Sequence, residues 1–350
     1  MGKIDMNFIF MIGNGFDLNC GLKSRYKDVY EKYTKTTSNN TAIEKFKHSI
    51  SNNIDEWADF EMAMAEYAGK CATEDEFVCC LRDFKAHLND YLAVEEKNFF
   101  NELDKSRTKN FVHAEMFESL ADFYKKYSNK KIEDSISDKI NMEGRTDKYI
   151  SFNYTHIFDE LKGSEKDYWG NEPEAVIHIH GELGERRNLV LGVDNVDQIQ
   201  GTAFTISKKI KRAFVKPLFN KEYDDNKVQE AQNIIANSDV ICTYGMSLGV
   251  SDLTWKNQIS SRLLNNSNAE LFVYVYEYMN KKYLTEDERM DAEDEAQKDI
   301  MQRLGIKENQ YDNVINRVHV ACGMNIFDVR KYMDSDFYKG LCQQAENANR

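Results

Sequence analysis

The chain has 350 residues, 41% of them hydrophobic and 12% aromatic, and 46 Lys+Arg against 59 Asp+Glu give a formal charge of −13. This composition excludes a disordered chain, and the acidic balance argues against non-specific binding to nucleic acid or to an anionic membrane, because phosphates reward Lys and Arg. Only 2 prolines occur, which rules out proline-rich linkers and leaves long helices uninterrupted.

The N-terminal MGKIDMN lacks a signal-peptide layout, and no apolar stretch is long enough to span a bilayer. The 7 cysteines are odd in number and form no CxxC pair. They read as buried free thiols in a reducing compartment, so a cytoplasmic location is expected and a metal centre is not.

The run NFIFMIG reads as a buried strand, and Gly13-Asn14-Gly15-Phe16-Asp17 as a glycine turn after it. The turn is not GxGxxG, so the usual dinucleotide fingerprint is missing. SRYKDVYEKY then opens a helix with Ser24 as the expected N-cap. Residues 40–130 read almost wholly as helix, including WADFEMAMAEY. Thr73 and Glu76 predict a capping box, after which Phe77, Leu81, Phe84, Leu88 and Tyr91 recur on one apolar face.

The pattern changes at Lys148. KYISFNYT predicts a strand turning at Asn153, AVIHIHG a strand ending in His-Gly, and NLVLGV a further short strand. Residues 204–236 are mostly helical, with a basic start at Lys208, Lys209, Lys211 and Arg212 that could meet phosphates or balance nearby acids. SDVICTYGMSLG is a strand and glycine turn, followed by the helix DLTWKNQISSRLL with Ser251 as its cap and the strand AELFVYVYEY. An acidic helix from about Thr285 to Leu304 reads as a solvated face, and NRVHVACG as the last strand. Strands alternating with helices predict an α/β fold: a Rossmann-like, mostly parallel sheet covered on both faces. Residues 1–35 and 148–335 would form that domain, 36–147 an inserted helical block, and 336–350 a tail.

Ligands of open α/β sheets bind where strands end and helices begin. Four strand ends carry unusual residues: Gly13 to Asp17, Ser151 to Thr155, His178 to Gly181, and Tyr244 to Ser247. In that order they resemble sirtuin-like NAD-binding domains, which carry a G-A-G-type loop, a T-x-N-x-D segment, a catalytic H-G and a G-T-S segment. IFMIGNGFDLNCGLKSRYKDVY with WADFE, SFNYTHIFDE and HIHGEL resembles more closely the AbiH family of phage abortive-infection proteins, over most of the chain.

The resemblance implies a sirtuin-type core that hydrolyses NAD+ as its substrate, with Asn153 and His180 catalytic. Physically, Gly13 and Gly15 would let backbone approach a pyrophosphate, with Asn14 and Asp17 beside the phosphates or a ribose. Asn153 could fix the nicotinamide ribose or a water, and His180 is the best general base of the set. Gly245 and Ser247 could hold the adenosine ribose or a phosphate, and Phe16, Tyr154, Thr155 and Gly181 complete the expected binding set.

Three departures matter. Thr155 stands where the N-x-D segment has Asp, leaving Asp17 and Asp159 as candidates for its work. Phe16-Asp17 replaces the small residues of the sirtuin loop. Only Cys242 lies between Gly181 and Tyr244, so the four-cysteine zinc ribbon of protein deacylases is missing. His178 and His180 stand two apart, on one face of a strand, but an HxH metal site lacks an evident third ligand. His156 reads as a loop residue. The competing reading is a non-catalytic sensor or scaffold that binds NAD or a related adenine nucleotide. A nuclease is a third, disfavoured by charge. A homo-oligomer or a defence-system partner protein is expected, with no direct nucleic-acid or membrane contact.

Overall fold

Among the described residues, six short strands form one all-parallel sheet: β1 (Met6–Ile12), β2 (Arg145–Ser151), β3 (Val176–His178), β4 (Val240–Tyr244), β5 (Glu270–Tyr274) and β6 (Val318–Ala321), in the spatial order β3-β2-β1-β4-β5-β6. The computed structural model describes residues 6–106, 109–121, 123, 145–163, 174–184, 189–199, 201–222, 226–249, 252–274, 285–322, 326–327 and 329–334. The order 3-2-1-4-5-6 is the doubly wound Rossmann arrangement, and it reverses direction between β1 and β4.

The helices, in chain order, are α1 (Gly15–Asn19), α2 (Tyr26–Tyr33), α3 (Thr41–Asn52), α4 (Phe60–Tyr67), α5 (Glu74–Ser106), α6 (Lys109–Ala121), α7 (Ile157–Lys162), α8 (Lys208–Phe214), α9 (Lys216–Glu222), α10 (Lys227–Ala236), α11 (Leu253–Asn265), α12 (Glu286–Arg303), α13 (Tyr311–Val314) and α14 (Val329–Asp334).

Period-two alternation sorts the sheet's side chains onto two buried faces. Phe8, Phe10 and Ile12 of β1 pack with Tyr149, Tyr244 and Phe272 beneath α5, α6 and α7. Ile9 and Met11 face the other way, with Ile241, Leu271 and Val273, onto α10, α11 and α12. A third core lies within the helical layer, where Tyr30, Tyr33, Phe46, Trp57, Phe60, Phe77, Leu81, Phe84 and Leu88 are all buried. The Phe60 and Phe84 rings stack at 4.2 Å. Burying each such ring is worth about 1.5–3 kcal/mol. Leu183, Leu191, Val193, Ile199, Ile210 and Phe214 join this core from beyond β3.

Local signals hold in part. The Thr73 hydroxyl accepts from the Glu76 N–H (3.2 Å), and the Glu76 carboxylate reaches back to the Ala72 N–H (2.8 Å). Thr285 and Glu288 close a full capping box. Ser24 does not cap α2: Arg25 takes that position, with its N–H on the Asp28 carboxylate (3.1 Å), while the Ser24 hydroxyl donates to Asn14 Oδ1 (2.6 Å). NLVLGV is not a strand. It makes one bridge, Val193 to Val215, and the helical core absorbs Leu191 and Val193. Ser251 and the 336–350 tail lie outside the described residues. Asp194 accepts from the Thr254 N–H (2.8 Å) in the first turn of α11.

Cys20, Cys71, Cys80, Cys242 and Cys322 are buried and Cys79 is half-buried. Among the described residues, no helix is long and apolar enough to cross a membrane.

Candidate functional site

A cavity of about 400 Å³ opens at the switch point between β1 and β4, within the size range of small-molecule sites. Its floor is built by strand ends: Gly13, Asn14 and Gly15 after β1, Phe152 after β2, His180 after β3, and Gly245, Met246 and Ser247 after β4. Tyr26, Ala58, Asp59 and Glu61 from the helical layer form the opposite wall, with Lys216 at the start of α9 and Asp252 just before α11.

The two glycine turns meet backbone to backbone. Gly13 N–H donates to the Tyr244 carbonyl (2.8 Å), Gly15 N–H to the Gly245 carbonyl (2.9 Å), and Phe16 N–H to the Gly13 carbonyl (3.0 Å). These amides are therefore engaged within the protein. The helix that follows, α1, has 5 residues, too short to gather much dipole. The glycines serve a close crossing of two turns as well as lining the cavity.

His180 follows the end of β3, and Gly181 beside it has φ +79, a left-handed turn that glycine adopts without strain. The imidazole packs edge-on to Phe152 (ring centroids 5.4 Å apart). By surface area the residue is half-buried, yet its Nε2 is sealed from solvent with no protein partner. The atom decides the electrostatics here, so the ring behaves as a buried one. Burial, and then the Lys216 cation, push its pKa well below the usual histidine value, although a hydrogen bond to the Phe152 backbone opposes them. His180 is neutral at pH 7.

Asn153 sits behind the first turn and not on the cavity wall. Its amide donates to the Gly13 carbonyl (3.1 Å) and to Asp17 Oδ1 (3.0 Å), while the Thr155 hydroxyl donates to Asp17 Oδ2 (2.7 Å). Thr155 thus contacts a carboxylate instead of supplying one. Phe16 is fully buried against Phe158, Tyr244 and Phe327. The Tyr154 hydroxyl donates to the Val190 carbonyl (3.3 Å).

The two His-x-His rings part company. The strand ends at His178, which turns inward to the Asn153 carbonyl (3.0 Å) and Asp159 (3.1 Å), while His180 takes the turn toward the cavity. Burial opposes charge on His178, but Asp159 and the Asn153 carbonyl leave its pKa raised. His156 lies between Glu96 and Glu182. Its hydrogen bond to Glu96 is the main cause lifting its pKa to about 9. Among the described residues, no group of three or more His, Cys, Asp or Glu side chains could hold a metal ion.

The expected set therefore divides. Gly13, Asn14, Gly15, His180, Gly245 and Ser247 share the cavity, whereas Phe16, Asp17, Asn153, Tyr154, Thr155 and Gly181 do not line it. Sequence reasoning missed Glu61, Lys216 and Asp252. Glu61 is 7% exposed, accepts from the Tyr26 hydroxyl (3.3 Å), and lies 4.0 Å from the Lys216 ammonium. Burial is the main cause raising its pKa to about 7, with Lys216 pulling down and Asp59 and Asp252 pushing up.

Asp17 makes a pH prediction. Burial dominates and raises its pKa from 3.8 to about 7 against the hydrogen bonds from Thr155 and Asn153. The native carboxyl keeps its proton where the unfolded one has lost it, so stability is full below pH ~4 and falls as pH rises through ~7. Between pH 5.5 and 8 this group alone should remove about 2 kcal/mol. Urea titrations at both pH values should show a smaller drop in Asp17→Asn than in the wild type; an equal drop refutes the assignment.

A six-stranded parallel sheet in this order, with a cavity at its switch point, defines a Rossmann-like α/β protein. The family model for bacteriophage abortive infection AbiH matches residues 9–275, which includes part of β1, all of β2 to β5 and every residue lining this cavity. The chain belongs to the AbiH family. Among curated proteins, none matches the chain.

Proposed function

We propose that this protein is an effector of phage abortive infection that hydrolyses NAD+ at the nicotinamide–ribose bond, giving nicotinamide and ADP-ribose. The observation that carries the reading is the meeting of four strand-end turns, far apart in sequence, around one cavity that presents a neutral His180. A cationic nicotinamide leaves as a neutral base, so positive charge develops on the ribose as the bond breaks. Glu61, Asp59 and Asp252 outnumber Lys216 on the cavity wall, an arrangement suited to a developing oxocarbenium ion. His180 lines the cavity with its unpartnered Nε2 sealed behind that wall, so the ring has to turn for Nε2 to accept from a ribose hydroxyl. Asn153 acts by holding the Gly13 carbonyl and Asp17, which fixes the loop beneath the substrate.

The same observation about Asn153 favours a second reading. Both of its amide hydrogens, and the Gly13, Gly15 and Phe16 N–H groups, are spent internally, which suits a nucleotide-holding sensor or scaffold that does no chemistry.

Purified protein incubated with NAD+ should release nicotinamide and ADP-ribose, measured by chromatography. His180→Ala should lower that rate by about tenfold, the loss of one hydrogen bond to the substrate, with the protein still folded by circular dichroism. NAD+ binding by calorimetry without release of nicotinamide would favour the sensor instead. A cytoplasmic site of action, and a homo-oligomer or a defence-system partner protein, belong to this proposal as well.

A further inference from the structure

We propose that Glu61, supplied by the helical layer, is the general base that activates the attacking water. This inference rests on the NAD+-cleavage reading above and names a catalytic residue that the strand-end motifs do not contain.

Glu61 stands in the first turn of α4, where Asp59 caps the helix by accepting from the Met62 N–H (3.1 Å). The chain thus fixes the carboxylate on the wall facing the glycine turns. The groups around it are Tyr26 of α2, at 3.3 Å, Lys216 of α9, at 4.0 Å, and Asp59 and Asp252 on the same cavity. Tyr30 of α2, Lys85 of α5 and Tyr154 after β2 also feel its charge. Tyr26 and Lys216 are donors that orient a carboxylate, and Asp59 and Asp252 are like charges that make it hold a proton more tightly.

The division of labour with His180 follows from basicity. A base works best with a pKa near the working pH. His180 is pushed far below that, so it accepts a hydrogen bond well and a proton poorly. Glu61 titrates at about 7. In the step, the water oxygen bonds to the ribose C1′, and the C1′–N bond breaks with its electron pair going to the nicotinamide nitrogen. The water proton passes to Glu61, which releases it to solvent after the products leave.

The test uses the full chain with NAD+, following nicotinamide release from pH 5.5 to 9 and NAD+ affinity by calorimetry. Wild-type kcat should rise to a plateau with a midpoint near 7. Glu61→Gln should lose ~10²–10⁴-fold in kcat, keep its NAD+ affinity within about threefold, and lose the pH-dependent limb. Glu61→Asp keeps the charge, so it should retain the limb at a lower rate; it also decides the matter if the Gln variant does not fold. Glu61→Ala should be partly rescued by added formate. A Glu61→Gln enzyme turning over within threefold of wild type, or one that keeps the limb, overturns the role of Glu61 and leaves the cleavage reading standing. Wild-type protein that binds NAD+ without releasing nicotinamide overturns both.

Discussion

Gly245→Ala should destabilise the protein by about 2–5 kcal/mol. Gly245 has φ +68, and a Cβ there would lie 2.5 Å from Gly15 Cα and 2.7 Å from the Gly15 and Phe16 nitrogens. Every one of these neighbours is backbone and cannot swing aside. The left-handed conformation costs a non-glycine residue about 1–2 kcal/mol, and overpacking adds about 1–3 more. The control is Gly305→Ala, where φ is +72 but nothing lies within 4 Å of the added Cβ. That variant should show the conformational part alone, about 1–2 kcal/mol. Denaturant unfolding of both separates the two causes, and equal losses would refute a close crossing of the turns. Because the crossing forms the cavity floor, Gly245→Ala should also weaken ligand binding, while Gly305→Ala should not.

The sheet was legible because buried parallel strands read as near-continuous apolar runs, and NFIFMI, VICTY and ELFVY are such runs, the first two ending at a glycine. Order and register were not legible. Nothing in the periodicity of Phe8 to Ile12 says that β4, more than 200 residues on, lies beside it. The segment 189–193 shows the opposite failure. An apolar run of five can be a strand or a packed loop, and the choice is made by a helical core that the local sequence cannot display.

The site was half legible for a related reason. Glycines and a His-Gly pair at strand ends announce themselves, and Gly13, Gly15, His180 and Gly245 do line the cavity. What they do there depends on contacts from distant segments. Asn153 looks like a free amide until Gly13 and Asp17 take both of its hydrogens. Glu61 lay in plain view within WADFE, yet one acid on the short apolar helix FEMAMAEY reads as its solvent face. Burial inverted that meaning. Lys216 was hidden among Lys208, Lys209, Lys211 and Arg212, of which the helix exposes or half-exposes all four while Lys216 is 6% exposed.

Asp147→Ala should cost about 3–5 kcal/mol, the loss expected when one partner of a buried ion pair is removed. Arg145 is 1% exposed and Asp147 6%, and they meet through two bonds of 2.6 and 2.9 Å. The guanidinium also donates to the Leu120 (2.8 Å) and Ala121 (3.0 Å) carbonyls at the end of α6, and lies 4.3 Å from the Phe8 ring centre. It therefore ties the last turn of α6 to the start of β2 and to β1, satisfying carbonyls that a helix terminus leaves open. Without Asp147 that cation stays buried and loses the carboxylate that takes two of its hydrogen bonds. Asp147→Asn, which keeps an acceptor, should lose less. Arg145→Met combined with Asp147→Leu should recover part of the loss, since an apolar pair removes the buried charge altogether. The pair sits where β2 begins, at the opposite end of the strand from the Phe152 turn that lines the cavity. Ligand affinity per folded molecule should therefore be unchanged in all three. A double variant less stable than Asp147→Ala would mean that Arg145 acts through its helix-end carbonyls and the Phe8 ring more than through the carboxylate.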